Sequence, residues 1–89
     1  ELLSEAYFAS NNYPVAIAYI EKLRNRTPKI NATYQRLTYN QAVNDFNAER
    51  YAEAIANFDK SLTVSADPEL RSNALFWKGE TFSAQRQYD

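Results

Sequence analysis

Tyr51-Ala52-Glu53-Ala54-Ile55 restates the phrase Tyr13-Pro14-Val15-Ala16-Ile17 from 38 residues earlier, and Tyr88-Asp89 begins it again 37 residues later. Self-similarity at a spacing of roughly 20 to 50 residues signals stacked equivalent units, each a supersecondary element that cannot bury its apolar face alone. The expected class is an all-α solenoid.

Composition agrees with helix. One Gly and three Pro in 89 residues leave too few turn-formers for an all-β chain. Leu2, Leu3, Ala6, Tyr7 and Ala9 fall on one apolar stripe of a first helix reaching Ser10, which Asn11-Asn12 breaks. A second helix opens with Pro14 in its first turn, where a missing N–H costs nothing, and carries Ala16, Ile17, Ile20 and Leu23. Asn25 to Pro28 ends it, because the residue before a proline is biased away from helix. A third starts near Ile30 or Asn31 and carries Tyr34, Leu37, Tyr39, Ala42, Val43 and Phe46 to about Ala48. With apolar side chains on both faces, it should be covered on two sides.

The fourth helix runs from Tyr51 to about Val64 with Ala54, Ile55, Phe58 and Leu62 at helical spacing, and Ser65 to Asp67 forms a loop. Asp67-Pro68-Glu69 then combines an N-cap, a proline at the first helical position and an acid facing the helix dipole. The fifth helix carries Leu70, Ala74, Leu75, Trp77, Gly79 and Phe82 to about Gln85. Short connections force sequence neighbours to pack antiparallel. The prediction is one domain of two hairpins and half a third: repeat 1 over 1–29, repeat 2 over 30–66 and a half repeat over 67–89.

Ten basic and eleven acidic residues leave a net charge of -1, which argues against nucleic acid as a partner. No run of 18 apolar residues is present, so direct membrane insertion is not expected. With no Cys and no His, the chain offers no disulfide, zinc site, thiol nucleophile or imidazole base. Lys22, Arg24, Arg26, Lys29 and Arg36 outnumber Glu21 locally, and are read as cations complementing a helix C-terminus rather than as an anion site. Asp45, Glu49 and Glu53 are carboxylates four apart, and Glu49 and Glu53 straddle a predicted turn, which makes them solvated surface acids. No catalytic, metal or cofactor residue is assigned, and no enzyme is expected. Opening at Glu1-Leu2-Leu3 already in helical pattern and closing on a begun phrase, the sequence is expected to be a piece of a longer protein.

Leu75 to Asp89, with small Gly79, aromatic Phe82 and turn tyrosine Tyr88, resembles the first helix and turn of a tetratricopeptide repeat. Tyr51 to Leu62, with Ala54 and Phe58, resembles its second helix, and Tyr7, Tyr13, Ala16, Ile20, Leu23 and Pro28 fit an earlier copy. The resemblance covers essentially the whole chain. It implies a right-handed α-α superhelix of five helices and about two and a half repeats, in which small Gly79, Ala42, Ala16 and Ala54 permit close helix approach. The spacing exceeds the family's usual 34 residues, a difference assigned to longer connections and early starts of the third and fifth helices. Gln41 and Asp45 stand where the family's pattern has apolar side chains. Either Phe46 takes that site through a one-residue rotation of the helix, or Asp45 has a buried partner; rotation is the expectation.

The resemblance further implies a concave groove, lined by the first helix of each repeat, that holds a peptide or protein. Carried onto this sequence, the groove positions are Leu2, Glu5, Phe8 and Ala9, then Arg36, Tyr39, Asn40, Val43, Phe46 and Asn47, then Asn73, Phe76, Trp77, Glu80 and Ser83. Relatives that clamp a chaperone's terminal carboxylate place Lys and Arg where this chain has Glu1, Glu5, Asn40, Asn73 and Trp77, so that partner is not expected. The alternative is a structural module of a bacterial envelope or secretion complex, acting through repeat stacking or self-association of uncapped ends. Cytoplasm and envelope both remain open as compartments.

Overall fold

A computed structural model describes residues 13–87. Among these the chain is all-helical: α1 (Tyr13–Glu21), α2 (Pro28–Asn47), α3 (Tyr51–Leu62) and α4 (Pro68–Gln87). The helix expected over Leu2 to Ser10 lies outside the described residues. Each helix packs on its sequence neighbour, and α2 also touches α4.

The boundaries follow local chemistry. Thr27 caps α2, its Oγ1 accepting from the Ile30 N–H at 3.1 Å, and Pro28 occupies the first turn. The proline expected to mark only the end of the preceding helix therefore opens the next one, two residues ahead of the sequence estimate. Because α1 ends at Glu21 with no basic residue in its last turn, Lys22, Arg24 and Arg26 lie past it in the connection. Arg26 instead lies over the Tyr34 ring, 4.7 Å from its centroid.

The α2–α3 turn is a Schellman motif. The Glu49 N–H donates to the Phe46 carbonyl and the Arg50 N–H to the Asp45 carbonyl, at 3.0 and 2.8 Å. Glu49 sits at φ 64, a left-handed conformation that glycine adopts at less cost. At the next connection Asp67 caps α4 as its sequence predicts, Oδ1 accepting from the N–H groups of Glu69 and Leu70 at 3.0 and 3.2 Å.

The buried apolar residues form two clusters. Tyr13, Ala16, Ile17 and Ile20 of α1 meet Tyr34, Leu37 and Val64 in the first. Ala42, Ala54, Phe58 and Ala74 form the second, with Tyr39, Val43, Phe46, Leu62 and Trp77 packed around them. Small Ala42, Ala54 and Ala74 bring three helices close, and the fully buried Phe58 ring fills the space beside them. Its burial alone stabilises by roughly 1.5–3 kcal/mol.

Buried polar groups fix the angles between these helices. Gln35 Nε2 donates to the Asp67 carbonyl at 3.0 Å while its Oε1 accepts from the Asp67 N–H at 2.9 Å, so the side-chain amide copies a peptide group. The Gln35 carbonyl also accepts from the Ser61 hydroxyl at 3.0 Å, tying α2 to α3. Asp45 is 2% exposed and is bonded by three neighbours. Arg50 Nη2 reaches its Oδ1 at 2.9 Å, Gln41 Nε2 the same oxygen at 2.9 Å, and Asn57 Nδ2 its Oδ2 at 2.9 Å. The expected rotation placing Phe46 there does not occur. Paired burial of the carboxylate satisfies the position, because three donors offset its desolvation.

Candidate partner-binding face

Arg36, Asn40, Val43 and Asn47 recur at alternating steps of four and three, which puts them on one stripe of α2. Asn73, Phe76, Glu80 and Ser83 do the same on α4. The two helices that carry these stripes touch, with Phe46 and Trp77 at their contact. Arg36, Asn47, Asn73, Phe76, Glu80 and Ser83 are exposed, and Asn40 and Val43 are half-buried. Phe76, at 63%, is the most exposed large apolar side chain among the described residues. Leu2, Glu5, Phe8 and Ala9 lie outside them.

The remaining aromatics join the helices together. Trp77 turns inward and meets Phe46 edge-on at 5.2 Å between centroids, so this pair forms the α2–α4 seam. Phe76 sits edge-on to Trp77 at 6.1 Å and Phe46 edge-on to Tyr51 at 5.6 Å, extending one aromatic row from α3 across α2 to the open ring of Phe76. Tyr39 is half-buried with its ring edge-on to Phe58 at 5.9 Å. Tyr39, Phe46 and Trp77 are thus half-buried against the second core.

The face can bury an apolar side chain against Phe76 while the Asn40, Asn47 and Asn73 amides offer both donors and acceptors to a main chain. Arg36 and Glu80 place one charge of each sign on the two stripes. Among the described residues no group of three or more Cys, His, Asp or Glu gathers to hold a metal, and no helix is long and apolar enough to cross a membrane.

A second polar cluster lies on a different face of α2. Tyr34 Oη donates to Glu21 Oε2 at 2.8 Å, and Lys60 Nζ pairs with the same oxygen at 2.9 Å. Burial, then the Glu21 carboxylate, push the Tyr34 phenol up to about 12. For Glu21, partial burial pushes the carboxyl up, but Lys60, Tyr34 and Arg26 together outweigh it and hold the group below its ordinary value. In the sequence Glu21 drew notice as the lone acid among cations and Tyr34 as a position of the third helix; pairings of Glu21 with residues 13 and 39 positions further along the chain have no local signature.

A shallow cleft at the ends of α2 and α3 is lined by Arg26, Pro28, Asn31, Thr63, Val64, Ser65 and Ala66. On its wall Asn31 Oδ1 is buried without a hydrogen-bond partner among the described residues. Sequence reasoning missed this feature too, since an asparagine in a first turn reads as ordinary capping chemistry.

The chain matches no family model, no curated protein and no solved structure.

Proposed function

We propose that this chain is a non-enzymatic protein-interaction scaffold of the tetratricopeptide type, holding a peptide or protein segment across α2 and α4. The observation that carries the proposal is Phe76, exposed at the end of an aromatic row with Asn73 and Glu80 one helical step to either side of it. A rigid ring bordered by amides loses little entropy on binding and pairs with a peptide backbone. Helix order supports the family assignment: α2 and α4 touch as first helices of successive pairs, while α3 fits between them as a second helix. Two successive cores, rather than one closed centre, support stacked units.

Selection of binders from a displayed random-peptide library, followed by fluorescence-polarisation titration, tests the reading. Phe76→Ala should weaken selected peptides at least tenfold, since a central aromatic anchor contributes about 2 kcal/mol. Its far-UV circular dichroism and melting should stay unchanged, because the side chain is exposed. Selected peptides that bind Phe76→Ala and Asn73→Ala as tightly as the parent would refute recognition on this face.

A further inference from the structure

Ala48, Glu49 and Arg50 alone separate α2 from α3, and nothing in their chemistry stops a helix. No Gly or Pro occurs between Pro28 and Pro68, and Ala48, Glu49, Arg50, Ala52, Glu53 and Ala54 are all strong helix formers. The chain's one glycine, Gly79, lies in α4, where a Cβ would meet nothing within 4 Å and the close helix approach expected of it is absent among the described residues. The turn instead places Glu49 at φ 64, a conformation that disfavours any residue with a Cβ. Arg50 makes no side-chain cap for α3, whose first helical bond runs from the Ala54 N–H to the Arg50 carbonyl at 2.9 Å. The other two connections differ. Thr27-Pro28 and Asp67-Pro68 each join a capping side chain to a proline, which bars a helix from running through.

We propose that the α2–α3 turn is a hinge through which two copies of the chain exchange their α3–α4 halves. On exchange it straightens into one continuous helix from Pro28 to Leu62. Glu49 then takes ordinary helical angles, and the N–H groups of Ala52 and Glu53 donate to the carbonyls of Ala48 and Glu49. The packing of α2 against α3 and α4 is remade between copies: Ala42 meets Ala54 and Phe58 of the other copy, and Asn57 of the other copy reaches Asp45. On one helix Ala42 and Ala54 face directions about 120° apart, so the two long helices cross obliquely rather than lie flush.

Three effects keep the closed monomer the ground form. Asp45, Glu49 and Glu53 fall at successive steps of four on the continuous helix, where like charges repel. Arg50, five positions from Asp45, swings about 140° round that helix. It thereby gives up the 2.9 Å pair with Asp45 that the turn allows. Association entropy opposes dimerisation as well, so exchange depends on chain concentration. The Phe46–Trp77 seam between α2 and α4 forms across copies in the dimer, which therefore carries the proposed binding face twice and engages a partner bivalently. The exchange itself does not rest on that face.

Refolding the full 89-residue chain from urea at high concentration, followed by size-exclusion chromatography with light scattering, tests the hinge. Glu49→Ala keeps the left-handed cost and removes the repeated charge contact, so its dimer fraction should rise about threefold or more over the parent's. Glu49→Gly relieves the turn and weakens the long helix, so its dimer fraction should lie about tenfold or more below that of Glu49→Ala. The chain has no Cys, so Arg36→Cys with Asp59→Cys takes spin labels at two chosen sites. Doubly labelled chain, diluted into excess unlabelled chain before refolding, reports distances within one chain only. In the closed form those sites lie on packed helices with axes about 8–10 Å apart, whereas along the continuous helix they are about 35 Å apart. The dimer should show the long distance and the monomer only the short one. A dimer that keeps the short distance overturns the proposal, since surface faces then join the copies. Absence of dimer from refolded Glu49→Ala overturns it too, as do equal dimer fractions in Glu49→Ala and Glu49→Gly.

Discussion

Replacing Asp45 by Ala removes the acceptor for four hydrogen bonds from Gln41, Arg50 and Asn57 at once. The Arg50 side chain is 50% exposed and rehydrates when released, so its two bonds contribute about 1 kcal/mol or less after solvent screening. Gln41 and Asn57 are half-buried, and each bond to the carboxylate is worth about 1 kcal/mol, below the range for fully buried charged acceptors. Relief of the carboxylate's desolvation returns part of the total, leaving a net loss of about 2 kcal/mol. That corresponds to a fall in Tm of roughly 10 °C for a chain of this length. Urea unfolding followed by far-UV circular dichroism and Trp77 fluorescence measures it. A double-mutant cycle with Asn57→Ala should give a coupling near 1 kcal/mol. The reasoning fails if Asp45→Ala lies within about 0.5 kcal/mol of the parent, or if the coupling is zero. Full stability in Asp45→Leu would refute it equally, since that variant strands the same donors.

Glu49→Gly should stabilise the chain by about 0.5–1 kcal/mol, because relief of the left-handed strain exceeds the added unfolded-state entropy; an unchanged urea midpoint would refute this. Phe58→Ala should cost about 3–5 kcal/mol by emptying the second core, and chemical denaturation will show whether the variant is still folded. Tyr34→Phe should remove, from an absorbance titration at about 295 nm, one phenol ionising near pH 12 rather than near pH 10. Because the folded value is raised, the stabilisation linked to Tyr34 is complete below about pH 10 and disappears as pH climbs through 12. Glu21 has the opposite sign: its lowered folded value gives stability present above about pH 4.3 and lost as pH falls through the folded value. Glu21 is exposed, so Glu21→Gln should flatten that acid limb by well under 1 kcal/mol in urea unfolding at successive pH values.

Elements whose signals are local were legible. Asp67-Pro68-Glu69 announced α4, and the spacing of Ala54 and Phe58 announced the inner face of α3. Pro28 was read as a stop because the rule for the residue before proline and the preference for proline in a first turn act at the same position, and the Thr27 cap decides between them. Asp45 was misjudged for a different reason: its satisfaction depends on Asn57, twelve residues on, and on an Arg50 whose approach is set by a turn with no glycine to signal it. On the candidate face, Asn47, Asn73 and Phe76 are exposed, whereas the inward turn of Trp77 depends on Phe46 in another helix. Periodicity identifies a helix face but not which of two adjacent rings lies on its buried edge.

The Gln35 clamp has a mechanical consequence. It grips Asp67, which is also the cap of α4, so this 20-residue rod is pinned at its root. A rod of that length reaches about 30 Å from its anchor. Any widening between α2 and α4 to admit a bulky guest must then be a pivot about Asp67, narrow at the pin and broad toward Gln87. On the proposed binding reading, a guest with one thick end and one thin end would be oriented before any side chain is read.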